Sequence, residues 1–235
     1  MMNTVIEPPP RPSIEVAGEA GRFPIRRIFC VGRNYAAHAR EMGFDPDAEP
    51  PFFFTKPADA VLDAHPAHDA AIPYPLATQN LHHEIELAVA IHRGGTAIRP
   101  EDALNHVFGY AVALDLTRRD LQIAMRERGR PWDWGKAFDQ SAPVGALHRA
   151  ADVGHLAKGR IWLSIDGMVR QDADLAALIW PVPHILAHLT QAVALAPGDL
   201  VLTGTPQGVG PIEPGQVVRG GIDGLGELKL SIRER

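Results

Sequence analysis

The chain has 235 residues, 46% hydrophobic and 22% charged, so it can bury a sizeable core as one large domain or two small ones, and nothing in it suggests disorder. A formal net charge of −5, with no basic stripe beyond Arg118-Arg119 and the Arg126 to Arg130 segment, argues against nucleic acid as a partner; those arginines read as a solvated helix face. Cys30 is the only cysteine, there is no signal-like start, and no apolar run approaches the roughly 20 residues that span a bilayer, so the expectation is a soluble cytoplasmic protein with no membrane partner.

Residues 1–24 carry Pro8, Pro9, Pro10 and Pro12 and no periodic apolar face, which predicts an extended or partly ordered N-terminal arm. The folded body, residues 25–235, opens with a strand at 27–32, a short helical piece at 36–42 ended by Gly43, and a strand at 51–56. A strand at 84–91, a helical piece at 101–107 and a strand at 109–115 follow. The clearest helix is 117–128, where Thr117 and Asp120 have capping-box spacing and Gly129 and Pro131 supply the stop. Then come a strand at 161–166, a helix at 182–195, and strands at 199–204 and 227–232. The pattern is a mixed, β-rich α/β body with many loops.

Within "LHHEIELAV", Glu84 and Glu86 are two apart and share one face of the strand, while Ile85, Leu87, Val89 and Ile91 share the other. Two readings stand side by side. The acids line the wet face of an edge strand, or a cation lies between them. In the second reading Asp115, at the exit of the 109–115 strand, supplies a third oxygen ligand. The set suits Mg²⁺ or Mn²⁺ with about half an octahedron left for water and substrate, and Ala88 and Ala90 leave space for a ligand.

His38 and Glu41 are three apart on a short helix, either a water-activating pair or a surface contact. Lys136 sits in an aromatic, Gly-rich loop, and "LTGTPQGVGP" offers backbone NH groups and the Thr205 hydroxyl to an anion. Pro206 and Pro211 exclude a P-loop or dinucleotide fingerprint there. His184 and His188, without the Glu of H-E-x-x-H, read as a packed or surface pair rather than a zinc site.

Six motifs in order, "VGRNYAAHAREMG", "FFFTKP", "LHHEIEL", "LDLTRRDLQ", "GRPWDWGKAFD" and "LTGTPQGVG", resemble the fumarylacetoacetate hydrolase superfamily, and the match runs from Ile28 to the C-terminus. The resemblance implies a rolled mixed β-sheet with a few peripheral helices, a homodimer, and Mg²⁺ or Mn²⁺ held by Glu84, Glu86 and Asp115. It implies His38 and Glu41 as the catalytic dyad on a segment that orders as a lid. It implies Lys136 as a catalytic and substrate-binding residue, with Arg33, Lys56, Gln122 and Thr205 holding the substrate's carboxylate and carbonyl oxygens.

Within the superfamily the N-terminal stretch most resembles members that hydrolyse fumarylpyruvate in aromatic-acid degradation, the gentisate route. The implied reaction is therefore hydrolytic cleavage of a carbon-carbon bond in a 2,4-dioxo acid, giving fumarate and pyruvate. Alternatives within the superfamily are another acylpyruvate hydrolase, an oxaloacetate decarboxylase, or a 2-hydroxy-diene-dioate isomerase; a catalytically silent binding dimer is a fourth. Gly135 departs from the Ala common in relatives before the lysine.

Overall fold

The computed structural model describes residues 4–41, 43 and 50–235. Met42 and residues 44–49, which belong to the segment expected to act as a lid, lie outside the described residues. The body is built on an eight-stranded sheet. Its main path runs Phe52–Lys56, Arg27–Gly32, Asp199–Leu202, Ile85–Ile91, Val107–Leu114, Ala142–Val144 and Val61–Asp63. Asp199–Leu202 pairs parallel with Arg27–Gly32, and Ala142–Val144 parallel with Val61–Asp63, whereas the central pairs are antiparallel, so the sheet is mixed. A five-stranded sheet contains Arg160–Ile165, Met168–Asp174, Val217–Ile222, Gly226–Arg233 and Ala71–Pro73. The arrangement is strongly curled, with few helices.

Ile85–Ile91 is an interior strand, flanked by Asp199–Leu202 and Val107–Leu114. Its alternation divides the core: Ile85, Leu87, Val89 and Ile91 pack in one cluster, Ala88 and Ala90 in another. The wet-face reading of the two glutamates fails here, because Glu84 is 5% and Glu86 1% exposed.

Residues 13–24, expected within an extended arm, instead form a hairpin in which Ser13–Glu15 pairs with Arg22–Pro24 and Ile14 lies opposite Phe23. Ile14, Val16 and Phe23 are buried in the cluster that holds Ala88, Ala90, Ala111 and Ala113. The small side chains therefore do not keep space for a ligand. That face is filled by apolar residues, including those of the hairpin.

The expected 117–128 helix spans Arg119–Glu127. Thr117 is held in a two-residue strand opposite His82, and its hydroxyl donates to the Asp115 carbonyl at 3.0 Å. Asp120 accepts from the Thr78 hydroxyl at 2.6 Å and from the Gln79 amide at 3.1 Å. The capping box does not form, since sheet pairing has already claimed its first residue. The 101–107 piece is a 3-10 helix, Pro100–His106, and the later helix is Val182–Ala192. His188 packs edge-on against Trp180, ring centroids 4.8 Å apart, in keeping with a packed histidine. Among the described residues no helix is long and apolar enough to cross a membrane.

Candidate active site

The site begins as a matter of register. Leu81–His83 pairs with Thr117–Arg118, and Ile85–Ile91 with Val107–Leu114, so that Glu84 and Asp115 meet at the junction, where the Asp115 amide donates to the Glu84 carbonyl at 2.9 Å. Cross-strand neighbours on one face lie within about 4.5–5.5 Å at Cβ. Glu84, Glu86 and Asp115 accordingly bring a carboxylate oxygen each within 4.8 Å of one another, all three buried.

The loop after Asp199–Leu202 closes on this group: Thr203 N–H donates to Leu87 O at 3.0 Å and Gly204 N–H to Glu86 Oε2 at 2.7 Å. Gly204 has φ +96°, and a Cβ there would stand 2.7 Å from Asn34 Cβ, so both backbone conformation and space require glycine. Asn34 in turn donates to Thr203 O at 2.8 Å and to Trp180 O at 2.9 Å, fixing the chain that leads to the Ala36–Glu41 helix.

Three cations answer the three acids. Lys136, at the end of the short Asp133–Lys136 helix, donates from Nζ to Glu84 Oε2 at 2.7 Å, Asp115 Oδ2 at 2.6 Å and Thr117 Oγ1 at 2.7 Å. Arg119 pairs with the other oxygen of Glu84 and with Gln122 Oε1. Lys56 Nζ is 2.8 Å from Asp115 Oδ1, an ion pair at an angle that makes no hydrogen bond, so Oδ1 is a buried acceptor without a hydrogen-bond partner.

Burial resists ionisation of Glu84, but Lys136 and Arg119 outweigh it and hold the carboxyl well below the usual range. Burial, reinforced by Asp115 and Glu84, pushes Glu86 well up. For Lys136, burial is outweighed by Asp115 and Glu84, which favour the charged form. Hard carboxylate oxygens crowded together, one with an unused lone pair and one acid pushed up by its neighbours, form a donor set that fits a hard divalent cation.

His38 is 6% exposed, and its Nδ1 is 3.2 Å from Glu41 Oε2. The Gly208 amide donates to both oxygens of Glu41, at 3.2 and 3.3 Å. A cavity is lined by His38, Glu84, Glu86, Asp115 and Lys136 together with Arg33, Gln122 and Thr205.

Two of the residues expected from sequence stand apart: Glu41 is exposed beside His38 and is not part of the cavity lining. Lys56 does not line the cavity; its ammonium is spent behind the wall, on Asp115 and on the Leu116 and Lys136 carbonyls. It holds Asp115 rather than a substrate oxygen.

Arg119 corrects the expectation of a solvated helix face: it is 5% exposed and paired with Glu84. Its signal was the one-turn spacing to Gln122, which puts both on one helix face. Gly135 also has a specific role. A Cβ there would lie 2.8 Å from the Gln122 backbone N, so its absence lets the lysine-bearing helix approach the Arg119–Glu127 helix.

The chain matches the fumarylacetoacetate (FAA) hydrolase C-terminal family over residues 27–233. It belongs to the fumarylacetoacetate hydrolase family. Among solved members of this fold, the crystal structure of fumarylpyruvate hydrolase from Pseudomonas aeruginosa, in complex with Mn²⁺ and pyruvate, superposes with a TM-score of 0.98. It is 53% identical and covers 99% of this chain and 100% of its own.

Two mitochondrial relatives carry other activities in their names. The oxaloacetate tautomerase FAHD2 of Oryza sativa subsp. japonica is 39% identical over 209 residues, 89% of this chain and 92% of that protein. The oxaloacetate decarboxylase of Dictyostelium discoideum is 39% identical over 200 residues, 85% of this chain and 90% of that protein. The present chain is thus an enzyme of the fumarylacetoacetate hydrolase superfamily.

Proposed function

We propose that this protein is a metal-dependent hydrolase that cleaves the carbon-carbon bond of a 2,4-dioxo acid, and that its substrate is fumarylpyruvate, split to fumarate and pyruvate. The observation that carries this reading is the gathering of Glu84, Glu86 and Asp115 on one cavity that also receives His38 with its Glu41 partner. The 53% identity to the Pseudomonas aeruginosa fumarylpyruvate hydrolase supports the choice of substrate.

Glu84, Glu86 and Asp115 would hold Mg²⁺ or Mn²⁺, which supplies Lewis-acid stabilisation of the negative charge developing at the 2-oxo end of the substrate. Lys136 adds positive charge beside Glu84 and Asp115 and holds their oxygens in place. Arg33, Gln122 and Thr205 bind the substrate's carboxylate and carbonyl oxygens from the cavity wall.

Because His38 Nδ1 is engaged by Glu41, Nε2 is the nitrogen that takes a proton from water. The hydroxide so formed adds to the distal carbonyl and becomes part of the new carboxyl group. The bond to the pyruvate unit then breaks, its electron pair leaves as the enolate, and the proton on His38 returns to the enolate carbon.

A second reading is favoured by the oxaloacetate-directed relatives: the same wall would stabilise an enolate for tautomerisation or decarboxylation with no attacking water. Fumarylpyruvate, acetylpyruvate and oxaloacetate, each supplied alone with Mn²⁺ and followed by product identification, separate the two. The hydrolase reading expects fumarate and pyruvate from the first. Oxaloacetate turnover with fumarylpyruvate untouched would overturn it. The reading also gives the protein a homodimeric assembly in a reducing cytoplasm, in keeping with its single, buried Cys30.

A further inference from the structure

Gln171 is fully buried, the single buried residue of the Met168–Asp174 strand, whose other side chains are polar, exposed or half-buried. The pairing of this strand with Arg160–Ile165 shifts register at that point, Leu163 facing Gln171 but Ser164 facing Val169. Gln171 shares the inward face with half-buried Ala173, opposite the buried Leu163, and the extra residue falls just before it.

Four polar groups meet the Gln171 amide. Oε1 lies 3.1 Å from the Ile85 backbone N and 2.9 Å from His83 Nδ1; Nε2 lies 2.9 Å from Thr205 Oγ1 and 2.8 Å from Pro206 O. The orientation of the amide follows from chemistry. Ile85 N–H can only donate and Pro206 C=O can only accept, so the oxygen must face the first and the nitrogen the second. Both N–H groups are then committed, one to Pro206 and one to Thr205. The Thr205 hydroxyl oxygen therefore accepts from Gln171, and its own proton is left for a partner on the cavity side. The same side chain binds the amide of the residue between Glu84 and Glu86.

We infer that Gln171 is a positioning residue: it turns the Thr205 hydroxyl into a hydrogen-bond donor aimed at an anionic oxygen of the bound 2-oxo acid, and ties that donor to the Glu84–Glu86 segment. The inference rests on the reading under Proposed function. It adds a residue that touches no substrate, and it gives Thr205 a defined role as donor.

The test is calorimetric binding of oxalate to Mn²⁺-loaded wild type, Gln171→Met, Thr205→Val and the double variant, with Mn²⁺ affinity measured separately by EPR. Each single substitution is expected to weaken oxalate binding about tenfold or more. Mn²⁺ affinity should stay within about threefold of wild type. The double variant should bind oxalate no more than about twofold more weakly than Thr205→Val alone, because Gln171 acts through that hydroxyl. Losses that multiply in the double variant, or a Gln171→Met protein that binds oxalate as wild type does, overturn the inference.

Should Gln171→Met fail to fold, a neutron map of the wild-type protein decides the point. Deuterons on Gln171 Nε2 facing Thr205 and Pro206, with the Thr205 deuteron toward the cavity, support the inference, and a Thr205 deuteron on Gln171 overturns it. Wild-type protein that binds Mn²⁺ but no oxalate overturns the proposed function instead, and the neutron map still reports on Gln171.

Discussion

Glu84 and Asp115 face one another across the junction of two strand pairs, joined by a backbone hydrogen bond of 2.9 Å and by the Lys136 ammonium, which donates to both carboxylates at 2.7 and 2.6 Å. The sheet register therefore sets the spacing of the two acids, and the lysine holds their side chains. Glu86, one alternation further along, completes the trio within the same buried wall.

The histidine should be separable from the acids. His38→Ala is expected to lower turnover of fumarylpyruvate by about 10²–10⁴, the usual contribution of a positioned general base, with Mn²⁺ affinity unchanged. Glu41→Gln should cost less, since Gly208 would still orient the side chain. Steady-state kinetics with EPR titration of Mn²⁺ makes the comparison, and a His38→Ala enzyme that turns over at the wild-type rate removes the dyad from the mechanism.

Arg119 is expected to matter for stability as well as for activity. Among the described residues, Arg119→Met leaves Glu84 with Lys136 as its one remaining ion-pair partner and leaves Gln122 Oε1 without a hydrogen-bond donor. Breaking one partner of a buried ion pair costs about 3–5 kcal/mol. Urea denaturation at neutral pH, without added metal, should show a loss of that order, and a midpoint equal to wild type would mean that the pair contributes nothing.

Asp120 gives a pH signature of its own. Burial would raise its pKa, but hydrogen bonds from Thr78, Gln79 and Leu121 outweigh burial and hold it below its ordinary value of 3.8. A depressed carboxylate stabilises the fold above its unfolded pKa and loses that contribution as pH falls through the folded one. Asp120→Asn should thus be less stable than wild type by about 1 kcal/mol at pH 7. The gap should narrow once pH drops through 3.8 and close below the folded pKa. Urea midpoints of the two proteins across this range check it; a gap that widens on acidification has the wrong sign.

The parts legible in the sequence were those written in local spacing. Alternation put Glu84 and Glu86 on one face, and the one-turn spacing of His38 and Glu41 is realised as a 3.2 Å contact. What escaped was written in distant partners. Arg119 meets Glu84 from 35 residues away and Gln171 meets Ile85 from 86, and no window of sequence contains both members of either pair.

Composition misled where burial overrode it. The Pro-rich start suggested an arm, yet Ile14, Val16 and Phe23 are enough to seat a hairpin on the alanine face. The Met168–Asp174 strand is an exposed, charged edge whose one fully buried residue is polar, so it has no apolar pattern to read.

In the proposed function, Glu84, Glu86 and Asp115 hold one divalent cation facing a cavity that receives a 2-oxo acid. Crystals grown with Mn²⁺ and oxalate, measured at the manganese absorption edge, test it directly. The expected result is an anomalous peak about 2.0–2.3 Å from one oxygen of each of the three carboxylates, with oxalate on the cavity side. A peak elsewhere, or one bound by fewer than all three residues, would contradict it.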